Sequence, residues 1–124
     1  MPNRRRVGAA FEERAEELLR ERGFAIVARN FRTRYGEIDR IARRGDLLVF
    51  VEVKMRRGDP YGSAAEAVDQ RKARQIYRMA EQFSRSVPSW RSLYAFDVIA
   101  IDIDASGRVA VAHHEGVDVD APDE

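Results

Sequence analysis

The chain has 124 residues, 44% hydrophobic and 35% charged, with no cysteine and a net charge of +1, which suits a single domain burying its own core without disulfides or a structural metal. The lack of cysteine excludes disulfide frameworks, thiolate zinc sites and thiol nucleophiles, leaves oxygen and imidazole as metal ligands, and fits a reducing compartment. No apolar run approaches the roughly 18 residues of a membrane span, and the basic start, Met1 to Gly8, lacks the apolar core of a signal peptide, so the expectation is a cytoplasmic protein with no membrane partner.

Val7, Phe11, Ala15, Leu18 and Leu19 recur at helical spacing and Gly23 closes the pattern, predicting an amphipathic helix from Arg6 to Arg22. Phe24 to Arg34, Glu37 to Ala42 and Leu47 to Lys54 read as three antiparallel strands, with Arg43 to Asp46 as the turn between the last two. Residues 55–63, with Gly58, Pro60 and Gly62, read as a loop. A second helix is expected from about Ser63, its apolar stripe formed by Ala65, Val68, Ile76, Met79 and Phe83 and interrupted by Lys72. Leu93 to Ile103 is a further strand, Asp104 to Gly107 a turn, and Arg108 to His113 its hairpin partner.

This order makes an α/β fold, an α-β-β-β-α-β core with a mixed central sheet flanked by helices, in which the third and fourth strands are parallel neighbours joined by the crossover helix. One domain is expected over residues 1–114, and residues 115–124 form a loose acidic tail. Charge is divided unevenly: residues 1–57 hold 15 Lys+Arg against 9 Asp+Glu, and residues 93–124 hold one basic residue against eight acidic. A basic half suits a polyphosphate partner and equally suits a solvated face.

Alternate residues of a strand face opposite sides. Leu47, Val49, Val51 and Val53 therefore share one face of the third strand, and Leu48, Phe50, Glu52 and Lys54 the other. Apolar residues on both faces mark a central strand, and its end carries two charges that cannot be buried cheaply without partners. A mutual Glu52–Lys54 salt bridge satisfies them, and so does a functional site. Arginine occurs 20 times and lysine only at Lys54 and Lys72, two positions where a compact ammonium does what a planar guanidinium cannot. Asp39, on the neighbouring strand, adds a hard oxygen ligand to Glu52, a pairing suited to Mg²⁺ or Mn²⁺. Glu12, at the edge of the first helix's apolar stripe, either joins this cleft or is an ordinary exposed glutamate beside Glu13, Glu16 and Glu17. His113 and His114 read as surface residues rather than ligands, and Trp90 as a loop-packing residue.

Asp39 followed by Glu52-Val53-Lys54 resembles the signature of the PD-(D/E)xK nuclease superfamily, the restriction-endonuclease-like fold shared with archaeal Holliday-junction resolvases. More closely, the chain resembles the bacterial YraN family from Gly8 to about His114. The likeness is carried by Phe11-Glu12-Glu13-Arg14-Ala15, Arg29-Asn30-Phe31-Arg32, Gly36-Glu37-Ile38-Asp39, Phe50-Val51-Glu52-Val53-Lys54, Gly62 to Val68, Lys72 and Phe96-Asp97-Val98. Phe11, Arg40 and Ala95 depart from that pattern: they stand where the family usually has glycine, an apolar residue and arginine.

The resemblance implies an active-site set of Glu12, Asp39, Glu52 and Lys54, with Mg²⁺ held by Asp39, Glu52 and the Val53 carbonyl. It implies a nuclease hydrolysing phosphodiester bonds in branched or otherwise unusual DNA, and a homodimer such as junction resolvases form. Arg32, Arg34, Arg56, Arg57 and Lys72 are candidates for gripping the nucleic-acid backbone, although Lys72 also fits a snorkelling helix lysine. A nucleic-acid-binding module that keeps the fold without turnover is the alternative, and a purely structural protein gives no reason for carboxylates beside Lys54.

Overall fold

In the computed structural model, which describes residues 4–58, 70–86 and 93–117, the chain runs α1 (Arg4–Glu21), β1 (Ala25–Thr33), β2 (Gly36–Arg44), β3 (Leu47–Arg57), α2 (Gln70–Arg85), β4 (Leu93–Ile103) and β5 (Val109–His114). The five strands lie in one sheet in chain order. All neighbours are antiparallel except β3 and β4, which run parallel. The mixed α/β architecture and its parallel pair are those the sequence predicts. The expected start of the second helix, Trp90 and residues 118–124 lie outside the described residues.

Strand alternation divides the core into two layers. Leu48 and Phe50 of β3 point to one face, where Ile76, Met79 and Phe83 of α2 cover them together with Phe96 and Val98 of β4. Val49 and Val51 point to the other, against Ala15 and Leu19 of α1 and Ile99 and Ile101 of β4. β3 is thus buried on both sides, as its unbroken apolar run requires.

Local chemistry fixes where α1 stops. Gly23 adopts φ +88°, a value that costs glycine nothing, and donates its N–H to the Arg20 carbonyl at 3.0 Å while Phe24 donates to Leu19 at 2.9 Å. This paired bonding is a Schellman cap, and Phe24 and Leu19 continue it as an apolar contact in the core. Gly36, at φ +142°, opens β2 so close to α2 that a Cβ there would lie 3.6 Å from both Gln75 and Met79.

Three expectations are corrected. Arg43 and Arg44, expected in the turn, belong to β2 and pair with Leu48 and Leu47, leaving Gly45 and Asp46 between the strands. Met55, Arg56 and Arg57 belong to β3, because β4 is long enough to pair with them opposite Ile101, Asp102 and Ile103; the strand ends at Gly58, whose N–H still bonds the Ile103 carbonyl. His113 is a core residue with a side chain 0% exposed, because it faces the α1 layer opposite Ile99 and meets Phe24 edge-on. Beyond it, Gly116 and Val117 are tied back by bonds from their N–H groups to the Asp97 carboxylate and the Phe96 carbonyl.

Candidate active site on β2 and β3

The regular alternation of β1 and β2 breaks at a register shift between Ile26 and Ala28 and again at Asn30. Asn30 has φ +50°, the left-handed region that few residues besides glycine and asparagine enter readily. Arg29, just before it, reaches α1 through Glu16, whereas Phe31, just after it, packs on Phe83 of α2. Two residues that an ordinary strand would place on one face therefore lie on opposite faces. β2 shows the same reversal: Ile38 belongs to the α2 layer and Arg40 bonds Glu16 of α1. Asn30 and Asp39 form no register pair between Arg29↔Arg40 and Phe31↔Ile38.

β2 also leaves β3 at this point, their pairing running from Arg44↔Leu47 only as far as Arg40↔Val51. Asp39 fills the gap. Its Oδ2 accepts a hydrogen bond from the Val53 N–H at 2.8 Å, so a side chain replaces the missing ladder bond and is held in one orientation. Burial pushes the Asp39 carboxyl up from 3.8 to about 6; the Val53 bond opposes the shift, and the charges of Glu12, Glu52 and Glu37 add to it. Residues from three elements thus act on one carboxylate: Glu12 of α1, Asp39 and Glu37 of β2, and Glu52 of β3. Among the described residues the Asp39 carboxylate makes no ion pair. Lys54 Nζ lies 3.9 Å from Glu52 Oε1, with the lysine 38% and the glutamate 17% exposed.

Of the other residues singled out in the sequence, Arg32 pairs with Glu37 at 3.4 Å and Arg34 bonds the Tyr35 hydroxyl. Arg56 is engaged by Asp102 through two bonds of 2.8 and 3.1 Å, and Arg57 is exposed at the end of β3. Lys72 lies in α2, and its side chain lies outside the described residues.

The sequence reading missed the ion cluster beneath the site. Glu16 is buried, not an exposed helix residue, and takes hydrogen bonds from Arg20 at 2.8 Å, Arg29 at 2.7 and 2.9 Å and Arg40 at 2.6 Å. The Arg29 bonds hold its carboxyl down at about 2, with Arg40 adding to them against the cost of burial. Arg40, also buried, lies 3.5 Å from Glu12 as well and donates to the backbone carbonyl of Asp39 at 2.7 Å. Arg40 is therefore the link between the structural cluster and the candidate site. A signal existed: Glu12, Glu16 and Arg20 are four residues apart, one row along the helix beside the apolar stripe.

Asp97, His113 and Glu115 are the group of metal-capable side chains whose ligand atoms lie within 4.8 Å of one another among the described residues. Their bonding is that of a structural network. His113 Nε2 is 2.7 Å from Asp97 and Nδ1 is 2.9 Å from an Arg22 nitrogen. Arginine only donates, so Nδ1 accepts and Nε2 carries the proton given to Asp97, leaving no imidazole lone pair for a cation. At Asp39, by contrast, the charges of Glu12, Glu52 and Glu37 act on a carboxylate raised by burial; among the described residues these side chains do not place three ligand atoms within 4.8 Å of one another, and the oxygen donors present are of the kind a hard divalent cation prefers.

Comparison with known proteins agrees with the sequence motifs. The chain is 39% identical over 107 residues to a UPF0102 protein of Caldicellulosiruptor saccharolyticus, covering 86% of this chain and 91% of that one. It is 48% identical over 107 residues to one of Rhodococcus jostii, with the same coverage, and 46% identical over 105 residues to one of Symbiobacterium thermophilum, covering 85% and 89%. Among solved structures it is similar to Pyrococcus furiosus SfsA in complex with Ca²⁺, at 18% identity and a TM-score of 0.37, covering 93% of this chain and 65% of that one. With residues 11–101 matching the family described as Uncharacterised protein family UPF0102, the chain belongs to the UPF0102, or YraN, family.

Proposed function

We propose that this protein is a Mg²⁺-dependent nuclease that hydrolyses phosphodiester bonds in DNA, acting in the cytoplasm on branched or otherwise unusual structures. The observation that carries the reading is the place of Asp39: half-buried where the β2–β3 pairing ends, held by the Val53 N–H, and pushed up to about 6 by burial, with the charges of Glu12, Glu52 and Glu37 adding to the shift. A fold does not assemble carboxylates around a partly buried aspartate for stability, because each added negative charge makes the site less favourable. A divalent cation removes that cost. Asp39, Glu52 and the Val53 carbonyl would hold Mg²⁺, which when bound supplies a Lewis acid for a phosphoryl oxygen.

The chain's own residues do the rest. The Val53 N–H fixes the Asp39 rotamer, so no ordering is required when substrate arrives. Lys54 brings a compact positive charge to 3.9 Å from Glu52, where it orients the attacking water and stabilises charge that develops on the phosphate. Arg40 restrains Glu12 at 3.5 Å and so keeps a third carboxylate at the site.

Glu52→Gln tests the proposal, since it keeps side-chain shape and removes an anionic ligand. Single-turnover cleavage of branched, duplex and single-stranded DNA with Mg²⁺ should fall at least about a hundredfold, or roughly 2.7 kcal/mol in the barrier, while binding in chelator is equal or tighter. Wild-type protein that cleaves none of these substrates with Mg²⁺ or Mn²⁺, yet binds them, would replace the enzyme with a binding module.

A further inference from the structure

α2 carries Arg71, Lys72, Arg74, Arg78 and Arg85 against one acidic residue, Glu81, so positive charge is not confined to the first half of the chain. Arg74, Arg78 and Arg85 are exposed, and their spacings of four and seven residues place them along one side of the helix. The β1–β2 turn lies against this helix, as the approach of Gly36 to Gln75 and Met79 requires. Between turn and helix is a cleft of about 470 Å³ lined by Arg34, Tyr35, Arg78, Glu81, Gln82 and Arg85.

The cleft is organised around Tyr35. Its hydroxyl accepts a 2.7 Å hydrogen bond from Arg34, and the Arg34 and Arg78 guanidinium carbons lie 4.9 and 5.6 Å from its ring centroid. Two like charges from separate elements are thus gathered on one aromatic ring. The bond from Arg34, with the charges of Arg34 and Arg78, also lowers the Tyr35 pKa. The single carboxylate in the cleft, Glu81, lies 3.6 Å from Arg85 and leaves an excess of two positive charges over the three arginines. A guanidinium stacked on an aromatic face keeps its edge N–H groups available for bidentate bonding to an anion. From these observations we infer that the cleft of Arg34, Tyr35, Arg78 and Arg85 is a phosphate subsite that grips the backbone of the nucleic acid proposed above as substrate.

Two features favour a nucleic-acid strand over an isolated anion. Eleven residues separate Arg74 from Arg85, about 16 Å of helix, a length of positive charge that matches a line of phosphates. Gly36, beside the cleft, starts the strand that carries Asp39, and three strand residues span about 10 Å, on the order of three nucleotide steps at 3.4 Å each. A strand gripped at Tyr35 therefore reaches the candidate active site within a few phosphates. Of the residues singled out in the sequence only Arg34 takes part; Tyr35, Arg78 and Arg85 are added by the tertiary fold.

The inference rests on the nucleic-acid reading but is tested apart from catalysis. Anisotropy of a fluorescently labelled DNA duplex is titrated with protein in chelator across a range of salt concentrations. Arg78→Ala/Arg85→Ala should weaken binding about tenfold or more at low salt and reduce the log–log salt slope by about 1.8, at about 0.9 per lost phosphate contact. Arg78→Lys/Arg85→Lys should restore most of that slope. An unchanged slope in the alanine variant, or a loss that the lysine variant does not repair, overturns the subsite even if the protein cleaves DNA. Competition by polyglutamate as strong as that by unlabelled duplex also overturns it, in favour of an acidic protein partner. A reduced slope in a protein that cleaves nothing keeps the subsite and removes the enzyme.

Discussion

Glu16 and Asp39 are two carboxylates drawn into the same part of the fold and joined through Arg40, yet their environments are opposite. Glu16 has three arginines and is held at about 2. Asp39 has one backbone N–H, three glutamates acting on it, and is pushed up to about 6. Burial acts against the charged form in both cases, so what differs is compensation: the fold neutralises Glu16 completely and leaves the negative charge at Asp39 for something else to balance. A paired carboxylate contributes to architecture, whereas an underpaired one is relieved by taking up a proton or, on the function proposed above, by a bound cation.

The contrast is broken most severely at Glu16. Glu16→Leu leaves Arg40 buried without its main partner, and removing one member of a buried pair typically costs about 3–5 kcal/mol. Urea unfolding should show a loss of this size. A loss under about 1 kcal/mol would mean that the cluster is dispensable.

Asp39→Asn should act in the opposite direction. The folded pKa of Asp39 lies above its unfolded value, so the wild-type protein is unpenalised below about pH 4, loses stability as pH rises from about 4 to 6, and carries the full penalty above that. The shift from 3.8 to about 6 corresponds to about 2–3 kcal/mol. Without metal, Asp39→Asn should be more stable than wild type by up to that amount at pH 7, and equal to it at pH 4. On the function proposed above, Mg²⁺ should stabilise wild type at pH 7 and leave Asp39→Asn unchanged. Glu16 has the reverse sign: its contribution is complete above about pH 4.5 and is lost as pH falls towards about 2. Chelated wild-type protein should therefore be most stable near pH 4–5, and a curve that rises steadily to pH 8 would contradict the assignment.

The smallest effect belongs to the kink that separates the two environments. Asn30→Val places a β-branched residue at φ +50° and should cost about 1–2 kcal/mol, whereas Asn30→Gly should stay within about 0.5 kcal/mol of wild type. Equal stability of the valine and glycine variants would show that the backbone relaxes without strain, and that the kink does not hold Asp39 in place.

Much of this was legible in the chain order of residues, because local rules govern it. Helical spacing located α1, with Gly23 as its stop, and alternation assigned Val49 and Val51 to one layer and Leu48 and Phe50 to the other. The Asp39, Glu52, Lys54 motif pointed to one region of the sheet, because hairpin partners must meet. Other features depended on long-range encounters that periodicity does not encode. Glu16 looked like its exposed neighbours until Arg29 and Arg40 met it from the sheet. His113 looked like a surface residue until Arg22, Phe24 and Asp97 closed around it, and Arg78 and Arg85 became part of a cleft only when Tyr35 was laid against α2. The sign of φ at Asn30 belongs to the same class: a strand-like sequence does not reveal that one residue turns left-handed, and that turn sends Arg29 and Phe31 to opposite faces. Sequence by itself determined the elements, the layers and the residue types available for chemistry, since those follow from spacing and backbone sterics. Only the tertiary structure decided which charges are neutralised and which are left unbalanced, since desolvation and Coulomb energy depend on distances between residues far apart in the chain.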